Sequence, residues 1–295
     1  MDQIDIHDIT PLPRVVAEHE FFLVEYTEEY ATLNGIYRQL LDQDERSERA
    51  LIVTGLMIGE VPSNNTVWWF RRQIFNTLYP PDQLEKRKEE LQKVVSIIRA
   101  VSNNFQAWEY RKELVDSTIS NLENDESIVL SFLPDGRNHR FWRYLQWYCD
   151  RWDQLDYGFK FTNSVILTDP GNNSAWATRH TFAQKIGESL EDELKFTLNL
   201  VRRRPDNKGP LLYLRSIVQR NPHLIQQILE EIENLLSKHP ESVCLLETKV
   251  FIKQYSGEDV NDELHQLIEK DPLHRHYWEL ILRKDPRILP KKLKE

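Results

Sequence analysis

One pattern recurs five times along the chain: an asparagine stands four residues ahead of a large apolar residue, in Asn64 with Trp68, Asn104 with Trp108, Asn138 with Trp142, Asn172 with Trp176 and Asn207 with Leu211. The apolar positions follow one another at steps of 40, 34, 34 and 35 residues. Such a period is the length of a helical hairpin, two helices of about three to four turns plus two short connections, and it marks a chain that grows by stacking one unit on the next. At 295 residues, 40% of them hydrophobic, there is enough apolar material for a large core. A repeat array carries that length without splitting into separate globular domains. The spacing therefore predicts an all-α fold, with an extended N-terminal segment over residues 1–20 and a single helical-repeat domain over 21–295.

Local chemistry agrees with the repeat. The asparagines follow turn-forming stretches such as Pro62-Ser63, Asp135-Gly136-Arg137, Asp169-Pro170-Gly171 and Pro205-Asp206. There an asparagine oxygen can cap the first orphan N–H groups of a helix. The tryptophans then fall in the first turns, where aromatics fill a core. Arg71, Arg111 and Arg179, three residues further on, are placed for packing on the indoles. Between the Trp helices run amphipathic segments, Leu84 to Ile98 and Leu190 to Val201, with Ser189 as a cap, and a further helix from Leu224 stops at His239-Pro240. Roughly a dozen or more helices are expected.

The charge balance, 38 Lys+Arg against 47 Asp+Glu, gives −9 and no long basic block, which argues against a nucleic-acid partner or an anionic membrane surface. No stretch is apolar for long enough to make a transmembrane segment, and MDQIDIHDIT has none of the regions of a signal peptide, so a cytoplasmic location is expected. The two cysteines, Cys149 and Cys244, are expected to be reduced and buried. No ligand cluster for a metal stands out: His274, His276 and Asp271 read equally well as a polar helix start, and Leu23 interrupts the motif that His19-Glu20 would begin.

The repeats resemble those of the α subunits of the protein prenyltransferases. The resemblance runs almost end to end, through Asp8-Ile9-Thr10-Pro11-Leu12-Pro13, the string Asp44 to Leu51, Asn65-Thr66-Val67-Trp68 with Phe70-Arg71-Arg72, Asn172-Asn173-Ser174-Ala175-Trp176, and Asp271-Pro272 through Tyr277-Trp278. The Pro-Leu-Pro stretch and the Asp44 to Leu51 string look like the branch shared by farnesyltransferase and type I geranylgeranyltransferase.

This resemblance implies a right-handed α-α superhelix, a solenoid of helical hairpins, that works as a heterodimer with a β subunit. The pair would move farnesyl or geranylgeranyl from an isoprenoid diphosphate to the Cys of C-terminal C-a-a-X proteins. It implies no cofactor in this chain, zinc in the β subunit, and room for magnesium in the holoenzyme. Its site residues carry over position by position. Asn103 stands where the family has a lysine that reaches the diphosphate. Asn104 is kept, Phe105 replaces a tyrosine lining the site, and Gln106 matches a glutamine that binds the peptide's terminal carboxylate. In the third repeat Arg137, Asn138, His139 and Arg140 match a Lys-Asn-Tyr-His run, so one cation is retained and a second added. Either Arg137 or Arg140 takes over the missing lysine charge, or the β subunit holds the diphosphate with less help, or both arginines are solvated loop charges. Two other identities compete: the α subunit of the Rab enzyme, and a non-enzymatic helical scaffold, although no tetratricopeptide string Trp-x-x-Leu-Gly-x-x-Tyr occurs.

Overall fold

All five predicted asparagine caps form, and their oxygens start five helices. Asn64 accepts from the backbone N–H of Thr66 and Val67, Asn104 from Ala107, Asn138 from Arg140, Asn172 from Ala175 and Asn207 from Gly209, at 2.9 to 3.3 Å. The computed structural model describes residues 6–14, 25–118 and 136–284, and among them no strand occurs.

The chain divides into two compact units, Met1–Tyr144 and Leu145–Glu295. The first holds α1 (Glu28–Asp42), α2 (Glu48–Glu60), α3 (Asn65–Leu78), α4 (Leu84–Ala100) and α5 (Phe105–Thr118), and the division falls within α6 (His139–Arg151). The second holds α7 (Leu155–Thr168), α8 (Asn173–Ile186), α9 (Leu190–Arg203), α10 (Lys208–Arg220), α11 (Ile225–Lys238), α12 (Val243–Ser256), α13 (Asn261–Lys270) and α14 (Arg275–Leu282). Helices pair as hairpins, α2 with α3, α4 with α5, α7 with α8, α9 with α10, α11 with α12 and α13 with α14. Successive Trp helices also touch, α3 with α5 and α8 with α10. Of the expected N-terminal segment, residues 1–5 and 15–20 lie outside the described residues, as does His19 to Leu23. Residues 8–13 lie along α1, where Leu12 N–H donates to Gly35 O at 3.2 Å. A Cβ on Gly35 would come within 2.8 Å of Pro11.

The repeat is held by a doubly used carbonyl. Each tryptophan is buried, and its indole N–H donates to the carbonyl six residues earlier: Trp68 to Pro62, Trp108 to Ser102, Trp142 to Gly136 and Trp176 to Pro170, at 2.7 to 2.8 Å. The ring fills the core while its one polar atom stays satisfied. The next repeat's asparagine reaches the same carbonyl: Asn104 Nδ2 donates to Pro62 O at 2.6 Å and Asn138 Nδ2 to Ser102 O at 2.8 Å. One side chain thus caps its own helix and ties it to the turn before. A sixth turn, built from Ser242 and Leu246, follows the same plan with a serine cap whose hydroxyl lies 3.5 Å from Pro205 O. Serine in place of asparagine and leucine in place of tryptophan hide it from a search for the consensus.

Arg71 and Arg179 do not do what their spacing suggested. Arg71 grips Glu90 of α4 through Nε and Nη2 at 2.7 and 2.8 Å and reaches Leu51 O at 2.6 Å. Arg179 grips Glu193 of α9 at 3.0 and 2.5 Å. Its guanidinium lies over Phe159 and Phe196, at 4.3 and 4.0 Å, and not over Trp176. Both pairs are buried, so a carboxylate compensates the charge better than an indole could. Tyr213 of α10 donates its hydroxyl to Glu193. Burial, helped by that carboxylate, pushes the Tyr213 hydroxyl well above its ordinary range. Cys149 is buried, and burial pushes its thiol up to about 12; Cys244, expected to be buried, is only half-buried, because it sits one residue into α12.

Candidate functional site

The N-terminal ends of α3, α5 and α6 gather the residues that the sequence singled out in the first unit. The turn that the caps fix decides which side chains point outward. Asn104 and Asn138 are buried, each occupied in capping and tying its repeat. The residues flanking them are left at the surface: Asn103, Phe105, Arg137 and His139 are exposed, while Gln106 and Arg140 are half-buried. Asn103 makes no side-chain hydrogen bond among the described residues.

Two contacts join the repeats across this edge. Gln106 Nε2 donates to Asn65 Oδ1 of α3 at 2.9 Å, and Arg72 of α3 donates to Gln106 O at 3.4 Å. Arg72 also pairs with Glu113 at 3.1 Å and lies over the Tyr110 ring at 5.5 Å. On the other side, the Arg140 guanidinium lies 4.9 Å from the centre of the Phe105 ring. Its Nε is closed to solvent, and among the described residues it has neither a hydrogen-bond acceptor nor a carboxylate partner. Below them Lys112 pairs with Glu109 at 2.9 Å along α5. The structure therefore brings Phe105 and Arg140 into contact and joins Gln106 to α3. It leaves Asn103 and Arg137 on the flanking turns and His139 exposed at the first position of α6. Asn65 and Arg72 are additions: sequence reading quoted both within the stretch that carries the resemblance but placed neither in the site.

The site can present uncompensated positive charge at a helix N-terminal edge, which suits an anionic oxygen. Metal chemistry has no such support here: among the described residues no group of three His, Cys, Asp or Glu side chains is arranged to hold an ion. His274 instead faces the Asp271 carboxylate at 2.9 Å, and Asp271 also accepts from the Trp278 indole at 3.0 Å. Among the described residues no helix is long and apolar enough to cross a membrane.

Residues 155–186, the α7–α8 hairpin, match the family model for the protein prenyltransferase alpha subunit repeat. A protein farnesyltransferase/geranylgeranyltransferase type-1 subunit alpha from Candida albicans is 29% identical over 298 residues, covering 93% of this chain and 95% of that protein. Proteins of the same name from Dictyostelium discoideum and Pisum sativum are 24% and 27% identical, each over 92% of this chain. The solved structure described as Candida albicans protein geranylgeranyltransferase-I complexed with GGPP superposes with a TM-score of 0.83 at 25% identity, over 96% of this chain and 99% of that one. The repeat model agrees with these relatives over one hairpin, the named relatives and the solved structure agree along nearly the whole sequence, and together they make the chain similar throughout to the protein prenyltransferase alpha subunits.

Proposed function

We propose that this chain is the α subunit shared by farnesyltransferase and type I geranylgeranyltransferase, active as a heterodimer with a β subunit. The pair transfers farnesyl or geranylgeranyl from its diphosphate to the Cys of C-terminal C-a-a-X proteins. The observation that carries this reading is the agreement of relatives bearing that subunit's name over about nine-tenths of both sequences. Zinc belongs to the β subunit and supplies thiolate activation there.

This chain's own part is electrostatic. As the C–O bond to the isoprenoid breaks, negative charge grows on the departing diphosphate, and a fixed cation helps most if it meets that charge in the transition state. Asn103, in the place of the family's lysine, is neutral. Arg140 supports the reading that the charge has moved one repeat along, because among the described residues no carboxylate neutralises it. Arg137, exposed on the same turn, is the second candidate. Gln106, steadied by Asn65, is set to donate its remaining N–H to a peptide carboxylate.

With the β subunit present, Arg140→Ala is expected to lower kcat by roughly 30- to 150-fold, the loss of about 2–3 kcal/mol of transition-state stabilisation, with little change in KM for the isoprenoid diphosphate. Asn103→Lys should keep or raise activity. Wild-type single-turnover rates in both Arg137→Ala and Arg140→Ala enzymes would sink the shifted-charge idea, whereas no transfer by wild type with any β subunit would sink the functional assignment.

A further inference from the structure

An arginine that must face an anion needs two things that work against each other: a fixed direction and an undiminished charge. A carboxylate partner supplies the first at the expense of the second, and two arginines of the first Trp repeat are held that way. Arg72 is fixed by Glu113 at 3.1 Å, and Arg71 by both oxygens of Glu90. Arg140 is held differently. Its guanidinium lies 4.9 Å from the centre of the Phe105 ring, and among the described residues no carboxylate pairs with it. An aromatic face attracts a cation through its quadrupole, orients the guanidinium plane and leaves the net charge in place.

Phe105 is the first residue of α5 and 45% exposed, although the positions that build this repeat's core, Ala107 and Trp108, are buried. It contributes little to that core, and the Arg140 contact is what occupies one of its faces. From these observations we infer that Phe105 is a positioning residue for Arg140, a neutral platform that aims an uncompensated guanidinium at the anionic leaving group of the reaction. The inference rests on the diphosphate reading above. It assigns to Phe105 a role through Arg140, separate from any direct contact with substrate.

The test is a double-mutant cycle in the assembled heterodimer, read as the single-turnover transfer rate with an isoprenoid diphosphate and a C-a-a-X peptide. Phe105→Leu removes the ring face and should slow transfer by roughly 3- to 30-fold, the span of cation–π strengths from exposed to desolvated sites. Phe105→Tyr keeps the face and should stay within about twofold of wild type. In an Arg140→Ala background, Phe105→Leu should have no further effect, since there is nothing left to aim. Sedimentation of each variant with the β subunit separates this from faulty assembly. A Phe105→Leu enzyme at wild-type rate beside a slowed Arg140→Ala enzyme would overturn the platform and leave the diphosphate reading standing, as would effects that simply multiply in the double variant. An Arg140→Ala enzyme at wild-type rate would overturn the platform and leave Arg137 as the candidate for the diphosphate charge.

Discussion

His180 shows how a single side chain ties this fold to pH. It sits in α8 beside the Tyr213 ring, 6.0 Å between centres, and its Nδ1 is buried with no hydrogen-bond partner among the described residues. Burial, reinforced by the Arg220 charge and opposed by Glu193, holds its pKa below the usual 6.5. The folded chain therefore takes up the proton later than the unfolded chain as pH falls. Its contribution to stability is complete above about 6.5 and is lost as pH drops below that value and through the folded pKa. Denaturant midpoints followed from pH 7 to pH 5 should fall, and His180→Phe should flatten that fall; an unchanged slope in the variant would show that another group titrates. None of this was visible in the sequence, where His180 is one of nine histidines. The same holds for the partners of Arg71 and Arg179. Charge type alone could not choose Glu90 or Glu193 among 47 acidic residues, because each lies on the neighbouring helix and is brought close only by packing.

At the level of helices, what was legible is what is encoded locally. A cap and its helix are set within a few residues, so Asn64, Asn104, Asn138, Asn172 and Asn207 could be assigned from their neighbours in the sequence. The stop of α11 at Lys238, just before His239-Pro240, was equally local. The contact of Phe105 with Arg140 was not, because it joins two repeats and depends on how they stack. Trp176 measures the strength of that stacking. It is 4% exposed, lies against Tyr213 of α10 at 4.9 Å, and fills space that α8 and α10 share. Gly209 at the start of α10 has no room for a side chain, since a Cβ there would come within 2.8 Å of the Trp176 indole nitrogen. Trp176→Ala is therefore expected to cost about 3–5 kcal/mol in denaturant unfolding. Lys88→Ala, which removes only an exposed pair with Glu85, should stay within about 0.5 kcal/mol. Equal midpoints for Trp176→Ala and wild type would mean that the ring does not bear on the repeat interface.

For the molecule as a whole, the proposed partnership predicts an obligate interface larger than about 2,000 Å², to which the first unit contributes the edge that carries the turns before Trp108 and Trp142. Sedimentation of the co-expressed subunits should give a heterodimer that persists at nanomolar concentration, and only micromolar, readily reversible pairing with every candidate β subunit would count against it. The carbonyls of Pro62 and Ser102 carry a different implication for the chain. Each receives one donor from its own repeat and one from the next, so the turns keep time with one another like marks on a ruler. A change of length is then harmless to this ladder only when it preserves phase. Excising residues 104–137 would bring Asn138 to the place of Asn104 and Trp142 to that of Trp108, and both bonds would close again. Removing one residue fewer, residues 104–136, would set the Trp142 indole against Asn103 O and leave Ser102 O without it. Lineages of such chains can therefore lengthen or shorten by whole periods, while drift by single residues is confined to the stretches between the marks.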